Sequence, residues 1–482
     1  MKTPISLTID ELLFEKLYGH LFPGDNDEHG AVIVAGIAET PSGTRLLVRD
    51  VFLAEDGVDY VPGTHGYRAI TARFVAEKIR YCSKEKLCYL AVHCHGGTDS
   101  VGFSPVDLDS HERGYPALLD INHNNPVGAL VFARNAVAGD IWIDDSRYPL
   151  EYLKVIGKRI IKLYPRAIDK VISVNPIYDR HARLFGDIGQ DILSNLKVGI
   201  IGLGGGGSLL NEWISRLGIG HIVAIDFDKV EPSNLPRVVG ATRLDAMVWL
   251  NREQNPKWVK SIGWYLSRYK VRISKRVARQ ANKTIKYDAV VGNILDESVA
   301  KLLTDADFIF LATDNIQSRL VFNALLHQYL IPGAQVGVKI LVDKESGQVK
   351  SIVANTRLVL PYPSGGCLEC QELIPPNRLQ EESLSKEDLQ AQRYVDHELV
   401  AEPSVITLNV ISAAQAANDL MMLFTGLFDN DIITYHHQND VQKRKLNRIE
   451  TRVSPTCPDC SDHSMSIRAR GDSKRLPCRM SQ

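Results

Sequence analysis

Apolar and polar positions change period several times along the chain, and each change marks an element. Thr8 with Glu11 reads as a capping box opening a helix through about Tyr18. Gly30 to Ala38 and Arg45 to Leu53 read as strands, Tyr67 to Tyr81 as a helix, and Leu87 to Val92 as an apolar strand. Later, a strand from Lys197 meets a glycine-rich turn that opens a helix, Asp307 to Thr313 is an apolar strand, and Ser404 to Phe424 predicts an apolar helix packed on a sheet. Between them Val239 to Tyr269 reads as an insertion, helical and amphipathic in part, whose Trp249, Trp258 and Trp264 are expected in the core. Strands alternating with helices predict an α/β protein.

The chain has 482 residues, too many for one ordinary domain. With 56 basic and 57 acidic residues, its net charge gives no reason to expect nucleic acid or a membrane as partner. No run approaches the ~20 apolar residues of a membrane span, and no basic flank precedes an apolar core at the N-terminus, so a cytoplasmic protein is expected. Four of the eight cysteines form two Cys-x-x-Cys pairs, which in a reducing compartment points to metal and not to disulfides. The tail from Ser466 to Gln482, with Arg468, Arg470, Lys474, Arg475 and Arg479 against Asp472, reads as a basic, frayed terminus.

The first chemistry lies in Lys197-Val-Gly-Ile-Ile-Gly-Leu-Gly-Gly-Gly-Gly207, followed by Ile225-Asp-Phe-Asp228 and Ser233-Asn-Leu-Pro-Arg237. Glycines between strand and helix bare the backbone amides of a helix N-terminus to a phosphate chain. Dehydrogenases share this turn, and Asp226 would serve an NAD ribose equally well. An NAD site, however, needs no Asn and Arg just past the second strand, whereas a triphosphate site does. Ser274-Lys275, at the start of an expected helix, and Leu311-Ala-Thr-Asp314-Asn-Ile-Gln-Ser-Arg319 add a cation and a carboxylate for Mg²⁺. From Tyr178-Asp-Arg-His-Ala-Arg-Leu-Phe-Gly186 to about Ser461 the chain resembles the ubiquitin-activating, molybdopterin- and thiamine-synthesis adenylyltransferase superfamily. The resemblance implies a doubly wound, mostly parallel Rossmann-like domain that uses ATP and Mg²⁺. It implies that Gly202, Gly204 and Gly207 line the phosphate turn, Asp226 holds the ribose, Asn234, Arg237 and Lys275 contact phosphates, and Asp314 binds Mg²⁺. It also implies a homodimer in which Arg180 reaches the ATP of the opposite subunit.

The second chemistry lies at the end of the Leu87 strand, in His93-Cys-His95, with Asp107 following Ser104-Pro-Val twelve residues on. Imidazoles at alternate strand positions point the same way and could reach one ion; three protein ligands leave a fourth position for water, as in a catalytic zinc. Glu28, leading into the first strand, is the candidate base, with Asp27 adjacent. This set resembles the JAMM metallopeptidases, a deubiquitinase and ubiquitin-like processing family. That likeness implies an N-terminal α/β/α domain in which His93, His95 and Asp107 bind zinc, Glu28 is general acid and base, and Ser104 hydrogen-bonds the oxyanion. The gap from His95 to Ser104 is one residue longer than the family's usual one, so Asp99 and Ser100 stand as fallbacks. His111 and Glu112 are expected on a following helix, supporting the site or solvated.

Cys367-Leu-Glu-Cys370 and Cys457-Pro-Asp-Cys460 suit a closed, structural zinc, and split pairs occur at matching places in the adenylyltransferase superfamily. No cysteine lies between Cys370 and Cys457, in the polar flap of about Gln371 to Pro403 or beyond it. An acyl group would therefore pass to an external thiol on a conjugating enzyme, or to a hydroxyl such as Ser404. The expected layout is a JAMM domain over 1–165, an adenylation domain over 166–465 and the tail over 466–482. The expected partner is a ubiquitin-like protein with a Gly-Gly tail, activated by a bacterial-type enzyme that also deconjugates it. Activation and trimming of a sulfur carrier is one alternative, and a non-catalytic modifier-binding scaffold is another.

Overall fold

The computed structural model describes residues 4–479 except 26, 64, 65, 67, 145, 168–174, 344, 345, 347, 363–365, 384–402 and 429–435. Its contacts divide the chain into two units. The first comprises Met1–Val171 with His327–Leu330 and Pro458–Arg475; the second comprises Ile172–Leu326, Ile331–Cys457 and Leu476–Gln482. Of the expected flap, Lys386, Glu387 and Asp388 lie outside the described residues.

The first unit is built from β1 (Ile5–Asp10), α1 (Glu11–Leu21), β2 (Gly30–Thr40), β3 (Gly43–Leu53), α2 (Ala72–Glu85), β4 (Cys88–Cys94), α3 (Pro105–Ile121), β5 (Val127–Phe132), β6 (Val137–Ile143), β7 (Ser146–Ile156) and β8 (Ile160–Leu163). The strands form one sheet in the order β1-β3-β2-β4-β5-β6-β7-β8, and β1 also pairs with β7, so the sheet closes on itself. Period-2 alternation assigns its two faces. Ala31, Ile33, Ala35, Leu90, Val92 and Cys94 join the core beneath α1, while Val32, Val34 and Tyr89 join the core under α2 and α3.

The N-terminal capping expectation is corrected here. Thr8 lies within β1, and α1 is capped by Asp10, which accepts from the Leu13 amide. Six residues from Ile5 to Asp10 are all buried, enough to make a strand paired on both edges, and the helix waits for the next Asx cap. The second helix starts later than expected, at Ala72, capped by Thr71.

The tail is not frayed through its first half. Ser466, Arg468, Ala469 and Arg470 are buried in the first unit. Arg468, entirely enclosed, donates to Asp10 at 3.0 Å, to the Arg49 carbonyl at 2.8 Å and to Asp462 at 2.5 Å. Arg470 donates to the Glu85 carboxylate at 2.8 Å and to its carbonyl at 2.9 Å. Ser6, Thr8 and Asp10 form the polar edge of β1's alternation, and Arg468 supplies the charge that Asp10 needs there.

The second unit contains α4 (Asp179–Ser194), β9 (Lys197–Ile201), α5 (Gly205–Arg216), β10 (His221–Ile225), α6 (Lys257–Leu266), α7 (Lys270–Ala281), β11 (Lys286–Val290), α8 (Glu297–Ala300), β12 (Phe308–Leu311), α9 (Ile316–Gln328), β13 (Gly333–Val342), β14 (Val349–Val359), α10 (Pro376–Ser383), α11 (Ile406–Thr425), β15 (His436–Asp440) and β16 (Lys445–Ile449). Its sheet runs β11-β10-β9-β12-β13-β14-β15-β16. The first five strands are parallel and the last three pairings antiparallel. Because β9 lies between β10 and β12, the winding reverses there, and the carboxyl ends of β9, β10 and β12 open on one edge. Apolar α11 packs on this sheet, its Ala413, Ala416, Leu420 and Leu423 fully or nearly buried. The tryptophans expected in the core are exposed instead: Trp249, Trp258 and Trp264 all face solvent.

Candidate functional sites

In the second unit, Gly202 leaves β9 at φ +87°, a left-handed conformation that glycine adopts without strain. A Cβ on Gly202 would meet the Thr313 methyl at 2.6 Å, and one on Gly207 would overlap the Gly202 carbonyl oxygen, so both glycines serve the close approach of turn, helix and β12. Gly204, which caps α5, has open space where a side chain would stand. The bare N-terminus of α5 therefore faces that space.

Asp226 ends β10 and is buried. It accepts from the Leu203 amide at 2.7 Å and from Asp228 at 2.8 Å, and burial pushes its carboxyl up against the pull of Lys270. Asp226 is thus fixed to the turn by the backbone of both strands. Asn234 is buried in a one-turn helix, where its Oδ1 accepts from the Glu231 amide at 3.2 Å. The Val239 amide donates to Ser208 Oγ at 3.1 Å, which ties the Asn-Leu-Pro-Arg segment to the first turn of α5. Arg237 and Lys275 are half-buried cations with no ion-pair partner among the described residues. Lys275 sits in the second turn of α7 and not at its start, because that helix opens at Lys270. Asp314 is exposed on the loop from β12 to α9, and beside it Thr313 Oγ1 is buried without a partner among the described residues. A phosphate-bearing ligand fits this set: an orphan hydroxyl, two free cations and open space above a helix N-terminus.

Two residues here carried no local signal for the turn. A Cβ on Gly205 would strike the Asn409 amide and come within 3.6 Å of Ser404 Oγ, which itself accepts from Asn409 at 3.2 Å. Roughly two hundred residues separate them from the glycines, so only folding brings them to the start of α5. Arg180, at the start of α4, is exposed and has no described partner.

In the first unit the sheet register assembles the site. Gly30 pairs with His93 in the antiparallel β2–β4 ladder, so Glu28, two residues before, falls opposite His95. Tyr89 and Ala91 face α2 and α3, and the same alternation turns His93 and His95 toward α3. The two Nε2 atoms lie 3.2 Å apart. Ser104 caps α3 and Asp107 is its third residue, in a reciprocal capping box. Asp107 Oδ2 lies 3.7 Å from His93 Nε2 and 3.8 Å from His95 Nε2; Glu28 Oε1 lies 3.8 Å from His95 Nε2. The donor atoms of His93, His95 and Asp107 fall within 4.8 Å of one another. Two nitrogens and a carboxylate oxygen at that spacing match the donor set of a catalytic zinc.

The electrostatics separate the two carboxylates. His93 first, then Ser104, holds the Asp107 carboxyl well below the usual range, whereas burial pushes Glu28 up despite the nearby imidazoles. The two carboxyls are therefore shifted in opposite directions. Ser104 Oγ lies 2.7 Å from Asp107 Oδ2, to which it donates, so the hydroxyl expected to serve an oxyanion is engaged with the Asp107 carboxylate. His111 is buried, with Nδ1 2.7 Å from Asp140, which also pairs with Arg147 at 2.5 Å. Sequence could not supply Asp140, 29 residues away on β6.

The sulfurs of Cys367, Cys370, Cys457 and Cys460 lie within 4.8 Å of one another, and those of Cys367 and Cys457 are 3.5 Å apart. Four thiols so close fit a tetrahedral metal, each a donor of the type that structural zinc takes.

With the glycine turn and Asp226 at the switch point in place, the model of the ThiF family matches residues 178–461. This chain belongs to the ThiF family. It is 26% identical over 197 residues to ubiquitin-like modifier-activating enzyme 5 of rice, covering 38% of this chain and 42% of that protein. It is 30% identical over 155 residues to the sulfur carrier protein ThiS adenylyltransferase of Bacillus subtilis, covering 32% and 41%. The ThiF chain thus spans less than half the length of either relative. Among solved structures, Escherichia coli MccB overlaps 60% of the chain and 73% of its own at 22% identity, with a TM-score of 0.45.

Proposed function

We propose that the second unit adenylates the C-terminal glycine of a ubiquitin-like protein, and that the first unit is a JAMM-type zinc peptidase acting on the same protein. The observation that carries the first half is the pair of unpartnered cations, Arg237 and Lys275, in the unit that opens Gly204 and the α5 N-terminus to a ligand. ATP is the substrate there. Its ribose is held by Asp226, its phosphates by the turn amides, Asn234, Arg237 and Lys275. Mg²⁺ on Asp314 would offset phosphate charge. The attacking carboxylate is already ionised and needs no base; the cations hold the charge that develops as pyrophosphate leaves.

Exposed Ile177, Leu184 and Ile188 support a homodimer. Leu184 follows Arg180 by four residues in the first part of α4, before the break at Phe185 and Gly186, so a second copy covering that short segment would carry Arg180 into its neighbour's site. The acyl group then passes to an external thiol or to Ser404, whose hydroxyl stands at the start of α5.

In the first unit, zinc on His93, His95 and Asp107 would polarise the scissile carbonyl and acidify water. Glu28 takes the water's proton and returns it to the leaving nitrogen, a task suited to a carboxyl raised by burial. The four cysteines hold a second, structural zinc.

ATP–pyrophosphate exchange dependent on a ubiquitin-like protein tests the adenylation reading. Exchange that survives Asp314→Ala unchanged would sink it, as would nicotinamide bound at the turn. The similarity to the Bacillus adenylyltransferase favours a second reading, activation of a sulfur carrier. Product formation that requires a sulfurtransferase, and not a conjugating enzyme, would establish that alternative.

A further inference from the structure

Arg357, on β14 of the second unit, is a cation that the fold holds without a counter-charge. The side chain is half-buried, and its Nε is wholly enclosed with no hydrogen-bond partner among the described residues. Nη1 reaches Gln335 Oε1 only at 3.5 Å, the outer limit of a hydrogen bond. The charged neighbour that acts on it is a second cation, Arg319 of α9, itself donating to the Leu373 carbonyl at 3.3 Å. Burial first and Arg319 second bring the Arg357 guanidinium down to about 10, so it remains charged at neutral pH. His436, opposite it on β15, supplies no anion, because burial and then Arg357 lower its imidazole to about 4. A guanidinium enclosed without a carboxylate is costly, and a planar fork of donors suits one.

The sheet register fixes where the missing anion would lie. Ile201 pairs with Leu311, Leu311 with Gln335 and Gln335 with Arg357. This row crosses the sheet at the last residues of β9 and β12, the edge from which the glycine turn and the Asp314 loop spring. Thr356 donates to the Ser412 carbonyl of α11 at 2.9 Å, so strand alternation turns Arg357 to the opposite face, toward α9. On the reading of this edge as an ATP site, the nucleotide extends from Asp226 at the end of β10 to the turn after β9. Strand β14 lies on the other side, three strands from β9, or roughly 14 Å at ~4.8 Å per strand. That side of the switch point is left to the second substrate, the peptide whose terminal carboxylate attacks ATP. An extended chain covers about 3.3–3.6 Å per residue, so about four residues separate that terminus from the level of Arg357.

We propose that Arg357 is a specificity-determining residue that pairs with an acidic side chain of the peptide substrate, three to five residues before its terminal glycine. The inference rests on the adenylation reading but is tested apart from it. The probes are labelled decapeptides ending in Gly-Gly, each with Glu or Gln at the third, fourth or fifth residue from the end, titrated into the full chain by fluorescence anisotropy. At one of these positions the Glu peptide should bind about tenfold more tightly than its Gln counterpart, and the difference should vanish in Arg357→Met. The variant removes a charge that has no partner, so it should keep the circular dichroism of the wild type; the Glu-against-Gln comparison in wild type stands even if it does not. Equal affinities, a preference that survives Arg357→Met, or no binding of any peptide overturns the proposal. ATP–pyrophosphate exchange with the same peptides separates the two readings. A Glu preference in binding without exchange would count against adenylation and leave the Arg357 subsite standing, whereas exchange indifferent to the acidic residue would remove the subsite alone.

Discussion

The two candidate centres are prepared in opposite ways. In the first unit, His93, His95, Asp107, Ser104 and Glu28 already lie against one another. In the second, Arg237, Lys275 and Asp314 are held on separate elements with no described partners, and Gly204 opens on free space at the start of α5. A metal site must gather few ligands tightly before the ion arrives, whereas a triphosphate site must keep its cations free for an anion that brings the compensating charge. Neighbouring donors are therefore the signature of the first chemistry and solitary cations that of the second.

The sharpest way to break this contrast is to cut each centre separately. His93→Ala should abolish zinc-dependent peptide cleavage, by about 10³-fold or more, while leaving pyrophosphate exchange intact. Glu28→Gln should do nearly as much damage with the zinc content, read by elemental analysis, unchanged. Asp314→Ala and Arg237→Ala should lower exchange by about 10²–10³-fold and spare cleavage. Loss of both activities in any one of these variants would mean that the centres are not independent.

Next in size is the buried pair Arg468–Asp10. Arg468→Ala leaves Asp10 enclosed without its counter-charge and should cost about 3–5 kcal/mol, measured by urea unfolding. An effect below about 1 kcal/mol would show that the C-terminal segment is not part of that unit's core.

A smaller effect comes from Asp419, on α11, whose carboxyl burial pushes up to about 7. Its folded value exceeds the unfolded one near 4, so its contribution is neutral below that pH and turns unfavourable as pH rises toward 7. Asp419→Asn should therefore be more stable than the wild type at pH 8, by roughly 1–4 kcal/mol, with the difference shrinking as the pH falls to 4. A constant difference across that range would contradict the assignment.

Most of the local geometry of the candidate sites was legible in the sequence. The glycine turn, Asp226 and the alternate histidines announce themselves within a few residues, because strand period and helix N-terminus are local geometry. Less legible were features that depend on context. Thr8 and Glu11 have the letters of a capping box, yet β1 is paired on both edges and carries the strand through to Asp10. The tryptophans of α6 have the composition of a core, but the face opposite them carries Gly263, and that face was buried.

What the sequence determined alone was the α/β class and which residue types stand at the ends of β4, β9 and β10, since these follow from periodicities of two and 3.6 and from short-range turns. Only tertiary structure decided that Glu28 meets His95 through the β2–β4 register, that Ser404 and Asn409 reach the start of α5, and that Arg468 is buried against Asp10. Those pairings join residues tens to hundreds of positions apart. Their stability comes from burial and charge compensation that no short window of sequence contains.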